Sequence, residues 1–168
     1  MKKLILLVLA AALLLAGCAE KPQTTTEAAP VKPMVSMYDL RKAMLDAQPG
    51  LPEMSSVSSS DENAADLFAY LSDLDYSKVE GFFLTYSADG KTADEIAVVC
   101  LKDTADLPAL EKSLQAHLKG RVDLYKTYAP EIVEQASAAE LVPQGRYVAL
   151  IMCADRAAVK AAFLSGIQ

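Results

Sequence analysis

The stretch VEGFFLTYSADGKTADEIAVVCL, residues 79–101, decides the fold. Val79 to Tyr86 is rich in aromatic and β-branched residues, which suit a pleated, half-buried strand. Ala88-Asp89-Gly90-Lys91 supplies the Asp-Gly turn of a hairpin. The partner strand is Glu95 to Leu101, and from Ile96 onward it is apolar without a break. Side chains alternate between the two faces of a strand, so an uninterrupted apolar run predicts a sheet covered on both sides. A second hairpin follows the same logic further along. Leu141-Val142 is a short strand, Pro143-Gln144-Gly145 turns it, and Tyr147 to Cys153 is again wholly apolar.

Helical periodicity surrounds these strands. Asp106 begins a long helix with Pro108 in its first turn, where a missing N–H costs nothing. Leu107, Leu110, Leu114, Leu118 and Tyr125 line its inner face. Pro130 starts a short helix to about Ala138, with Glu131 and Glu134 near its positive end. Asp155 caps the last helix, whose apolar side is Val159, Ala162 and Phe163 before Gly166. On the amino-terminal side, Ser36 caps a helix carrying Met37, Leu40, Met44 and Ala47 on one face, and Pro49-Gly50 stops it. Leu51 to Ser60 reads as a Ser-rich loop. A second helix starts at Ser60 or Asp61, carries Ala64, Leu67, Phe68 and Leu71, and ends near Asp73 to Asp75.

The order is ααββααββα. It predicts an α+β domain over 36–168 with an antiparallel sheet of about four strands, two hairpins, packed with about five helices. The long and last helices are expected on one sheet face. The amino-terminal helices, or else a partner protein, are expected on the other.

Three of these segments carry a family resemblance: Glu95-Ile96-Ala97-Val98 followed by Lys102-Asp103, Leu124-Tyr125-Lys126-Thr127-Tyr128-Ala129-Pro130-Glu131 after the long helix, and Gly145-Arg146-Tyr147-Val148 entering the last strand. Over about residues 36 to 165 the chain resembles the bacterial lipoprotein family of domain of unknown function 4358 (DUF4358). The resemblance implies a single-domain exported lipoprotein, chiefly of Gram-positive lineages. It implies fold and location only, and brings no catalytic residue.

The amino terminus carries its own address. Lys2 and Lys3 precede an apolar run from Leu4 to Leu15, shorter than the roughly 20 residues a spanning helix needs and suited to a signal peptide. Leu15-Ala16-Gly17-Cys18 resembles the lipobox of bacterial lipoproteins: Leu at −3, small residues that fit a peptidase pocket, then the thiol that accepts a lipid. Residues 1–17 are expected to be the signal peptide and Cys18 the lipidation site, giving a cell-membrane protein anchored on the extracytoplasmic face. Removing Lys2 and Lys3 with the signal peptide leaves 14 basic against 22 acidic side chains, a charge of −8, which anionic lipid repels. Residues 18–35 form the lipidated Cys and a flexible linker, Pro- and Thr-rich, with a span of roughly 20–25 Å.

The full chain has net charge −6 and pI ≈ 4.8, against nucleic acid, whose phosphates demand Lys and Arg. His117 is the one histidine among 168 residues. It cannot build a His-rich metal site, no Ser or Cys motif points to it, and it reads as a boundary or surface residue. No metal site and no cofactor is expected, since phosphate-binding loops and hydrolase motifs are absent from the sequence. Asp61-Glu62, Asp73 to Asp75 and Asp94-Glu95 read as solvated caps at element ends. Cys100 and Cys153 either form a disulfide or sit as buried free thiols, the latter favoured.

The densest polar and aromatic cluster is Arg121, Tyr125, Tyr128 and Glu131, a candidate binding patch in which Arg121 could pair a ligand carboxylate. The plainer reading packs both rings and uses Glu131 to complement a helix dipole. The chain is thus expected not to be an enzyme but a binding or accessory module of the cell envelope, meeting an envelope protein or a small ligand. The alternatives are an envelope hydrolase using paired carboxylates and a structural spacer.

Overall fold

The computed structural model describes residues 33–168; the segments expected to be signal peptide and lipobox, including Leu15-Ala16-Gly17-Cys18, and most of the expected linker lie outside the described residues. The elements in chain order are α1 (Met37–Asp46), β1 (Met54–Ser58), α2 (Ala64–Phe68), β2 (Val79–Ser87), β3 (Glu95–Leu101), α3 (Leu107–Tyr128), α4 (Val133–Ser137), β4 (Glu140–Gln144), β5 (Tyr147–Met152) and α5 (Arg156–Gly166). Short 3-10 turns precede β2, α3 and α4.

The five strands form one antiparallel sheet in the order β1-β2-β3-β5-β4. Both expected hairpins form, and β3 and β5 pair at the centre. There the unbroken apolar runs are buried along their whole length. The turns follow local chemistry: Gly90 and Gly145 adopt φ of 67° and 58°, a left-handed backbone that glycine enters without steric cost. Ser36 Oγ accepts from Asp39 N, and the Asp155 carboxylate accepts from Ala158 N, so both expected caps are made.

The fifth strand is a difference from the sequence reading. Met54-Ser55-Ser56-Val57-Ser58 lies within the stretch read as a loop, because three serines in five residues hide any alternation. It is a strand because β2 presents a free edge. Its backbone pairs from Met54 opposite Ser87 to Ser58 opposite Phe83, and Ser56 Oγ lies 3.1 Å from the buried Thr85 Oγ1. The second helix is also shorter than expected, closing at Phe68.

Two apolar cores sandwich the sheet. On the first face Phe82, Leu84, Ala97, Val99, Leu101, Val148 and Leu150 meet α2, the turn after it and α3 through Phe68, Leu71, Leu110 and Leu114. Phe68, Tyr76 and Phe82 pack as an aromatic trio with centroids 5.2–6.0 Å apart, which docks α2 onto β2. On the second face Phe83, Ile96, Val98, Cys100, Ala149 and Ile151 meet Met37, Leu40 and Met44 of α1 and Val159 and Phe163 of α5. The long and last helices therefore lie on opposite faces, not together as the sequence suggested; each amphipathic stripe is satisfied by either face, and α1 pairs with α5. Met34 and Val35 pack on this second core, and Val35 N donates to Tyr147 Oη at 3.1 Å. The folded unit thus takes in two residues that the sequence assigns to the tether.

Cys100 and Cys153 are free and buried. Antiparallel register explains why they do not bond. Cys100 faces Tyr147, the first residue of β5, while Cys153 lies past the other end of that strand, about 20 Å away at strand rise. Burial pushes both thiols up, Cys153 to about 12, which makes them small hydrophobes rather than nucleophiles.

Candidate functional site

Glu95 opens β3 with its side chain on the α3 side of the sheet, the face shared by Ala97 and Val99. It is only 3% exposed. A lone buried carboxylate costs several kcal/mol (order of magnitude), and α3 supplies two partners. His117 Nε2 lies 2.5 Å from Glu95 Oε1. Arg121 Nε lies 3.2 Å from Glu95 Oε2. The second contact is Coulombic: the buried Nε–H is not aligned on any acceptor among the described residues. Because a carboxylate only accepts, the ring donates from Nε2.

Helical spacing builds this arrangement. His117, Arg121 and Tyr125 stand four apart and so line one face of α3. Arg121 Nη2 donates to Tyr125 Oη, and its guanidinium carbon sits 4.8 Å from the centre of that ring. Burial raises the Tyr125 phenol above its ordinary range, so the hydroxyl stays neutral and fixes the guanidinium plane. Asp94, next in the chain to Glu95, is also buried and accepts from Gln135 Nε2 at 3.0 Å. The Asp94-Glu95 pair is therefore not the solvated cap expected from sequence, and His117, a boundary residue with a 15% exposed side chain, has the close partner that the sequence could not show.

A cleft of about 750 Å³ opens above this cluster. Its floor is Val57, Leu84, Tyr86 and Glu95 from three strands; α3 gives one wall through His117, Gly120, Arg121 and Leu124, and Leu67 and Tyr70 give the other. The second wall is held by the buried Phe68 and Leu71 and by Ser113 of α3, whose Oγ accepts from Ser72 Oγ and from Asp73 N, each at 2.9 Å. Tyr70 (76% exposed), Leu124 (45%) and Tyr86 (36%) all edge this opening. Large apolar side chains left in water and gathered on one concavity are the usual mark of a binding surface.

Of the four residues proposed from sequence, Arg121 and Tyr125 come together here. Tyr128, the last residue of α3, and Glu131, beyond it, are exposed and do not line the cleft. Glu95, His117, Tyr70 and Tyr86 are the members that sequence reasoning missed. The available signal was a charged residue at an inward position of an apolar strand, with basic side chains at i and i+4 on the longest helix. Among the described residues, no group of three or more His, Cys, Asp or Glu is placed to hold a metal ion, and no helix is long and apolar enough to cross a membrane.

A family model described as domain of unknown function (DUF4358) matches residues 53–153. The match is narrower than the resemblance read from sequence. It contains every strand and every cleft residue, and leaves α1 and α5 outside. No curated protein and no solved structure matches the chain.

Proposed function

Because the chain belongs to the DUF4358 family, whose description assigns no activity, we propose its function from its own cleft and amino terminus: a lipid-anchored extracytoplasmic protein that binds a small ligand between α2 and α3. The observation that carries the binding reading is the coincidence of three exposed large side chains, Tyr70, Tyr86 and Leu124, with a cavity whose ionisable groups, the two tyrosine hydroxyls apart, are confined to the Glu95-His117-Arg121 cluster. An apolar hollow with a few fixed polar groups, in the range of about 300–1,000 Å³, suits a small organic molecule. The lipobox and the Pro- and Thr-rich segment support an anchored domain held off the membrane.

Two experiments test this. Metabolic labelling with a palmitate analogue should mark the wild type and not Cys18→Ala; equal labelling of both ends the anchor. A fragment screen read by methyl resonances should move Val57, Leu67, Leu84 and Leu124 together and leave Leu40 and Val159 of the opposite core in place. Hits that move both groups alike, or no hits, end the cleft reading. Gly120→Leu is the matching control: a Cβ at Gly120 meets nothing within 4 Å, so the larger side chain can fill the cleft without disturbing the core.

The hydrolase alternative has less support. Glu95 is the one carboxylate lining this cleft, and His117 and Arg121 already engage it. Two carboxylates, Asp73 and Asp75, do line a smaller hollow of about 300 Å³. There the Ser77 backbone N–H holds Asp75 below the usual carboxylate range, the opposite of what a general acid requires.

A further inference from the structure

Resting on the cleft reading, we infer that its ligand is a monocarboxylate with an apolar body, its carboxylate held by Arg121 and its body lying against Leu67, Tyr70, Tyr86 and Leu124. The argument begins with unused donors. A guanidinium carries five N–H groups. One reaches Tyr125 Oη, and the Nε–H near Glu95 is misaligned. Arg121 therefore faces the cleft with donors to spare, in a plane already fixed by the Tyr125 ring, which is the geometry that recognises a carboxylate through two parallel hydrogen bonds.

Charge sharing is the second part. Were Arg121 the sole partner of Glu95, a ligand that drew it away would strand a buried carboxylate. His117 at 2.5 Å keeps Glu95 hydrogen-bonded, and Arg121 faces Glu95 through Nε alone, so a ligand on its Nη groups need not strand the carboxylate. The remaining lining is apolar or phenolic. It offers no further charge for a second acidic group, and it suits an aliphatic or aromatic body.

The test uses one body with three heads: 3-(4-fluorophenyl)propanoate, its primary amide, and the corresponding propylamine. Binding to the full chain in lipid nanodiscs is read by fluorine line broadening against empty nanodiscs. The acid should bind about tenfold or more tighter than the amide, as for a hydrogen bond between charged groups. Arg121→Gln should reduce the acid to the level of the amide, Arg121→Lys should keep part of the preference, and Gly120→Leu should abolish binding of both. Thermal unfolding of each variant checks that it is folded. Equal binding of acid and amide overturns the inference and leaves the cleft reading standing. Preference for the amine overturns it in favour of Glu95 as the recognition group. Failure of all three probes to bind the wild type overturns the inference together with the cleft reading.

Discussion

The two faces of the sheet are made from alternate residues of the same strands, yet one is sealed along its central strands, with a hollow of only about 290 Å³ beside β1, and the other opens in a cleft of about 750 Å³. Beneath α1 and α5 the second face is apolar along β3 and β5, turns polar at Thr85 and the serines of β1, and even its two cysteines are buried with raised thiols. Beneath α2 and α3 the first face is equally apolar along Val99 and Leu101, then changes at Glu95. There α3 presents His117 and Arg121 where Leu110 and Leu114 stood a few turns earlier, and α2 has ended before it could close the gap. The contrast separates two tasks. Continuous apolar contact supplies stability, while a short helix and a charged strand end leave a concavity with fixed polar groups. The family match, which covers the open face and omits both helices of the sealed one, falls along the same division.

The strongest challenge to this contrast is to place a charge at the strand centre. Val98 and Val99 are adjacent, fully buried and on opposite faces. Val98→Asp and Val99→Asp should each cost more than about 4 kcal/mol, since a buried unpaired charge is among the largest single-residue penalties. Loss of the cooperative urea transition by circular dichroism checks both. Tolerance of either one would show that its face is open at mid-strand as well as at the end.

Truncation on each side gives the next comparison. Phe163→Ala beneath the sealed face should cost about 3–5 kcal/mol. His117→Ala should cost about 1–3 kcal/mol, because Glu95 loses one partner and keeps Arg121. Chemical denaturation measures both, and equal losses would make the ion cluster as much a part of the core as Phe163.

Alkaline pH sharpens the sealed face alone. The Cys153 thiol is raised by burial from an ordinary value near 9 to about 12. Between those values the unfolded chain releases the proton and the folded chain keeps it. The stability this thiol contributes is therefore whole below pH 9 and declines from there to pH 12, by at most about 1.4 kcal/mol per pH unit. Denaturation of Cys153→Ala against wild type across that window should show a shallower decline, and parallel curves would place the thiol in water.

The smallest effects belong to the open face. Gly120→Ala should raise stability by about 0.5–1 kcal/mol, since glycine inside a helix is penalised and the space beside it is empty. Tyr70→Ala should change stability by less than about 0.5 kcal/mol while weakening probe binding in the cleft. A large loss on removing Tyr70 would make that ring structural.

Most of the architecture was legible because it is written in local pattern. The unbroken run Ile96 to Leu101, the Asp-Gly turn and the Ser36 and Asp155 caps each fix a conformation through neighbours in the chain. What escaped was set by distant partners. Met54 to Ser58 has no strand signature of its own and pairs because β2 offers an edge. His117 looked isolated because its partner, Glu95, belongs to a different element. The candidate patch divides in space for the same reason: Arg121 and Tyr125 share a helix face, whereas Tyr128 and Glu131 are near them in sequence and turn away at the helix end.

By itself, then, the sequence determined four of the five strands, most of the helices, the hairpins and the burial of both sheet faces, since periodicity and turn chemistry act over a few residues. Which helices share a face was a tertiary decision, because any apolar stripe fits either side of an apolar sheet. So was the cleft: it exists only where β3 brings a buried carboxylate under α3, and where α2, one short helix away in space, stops before covering it.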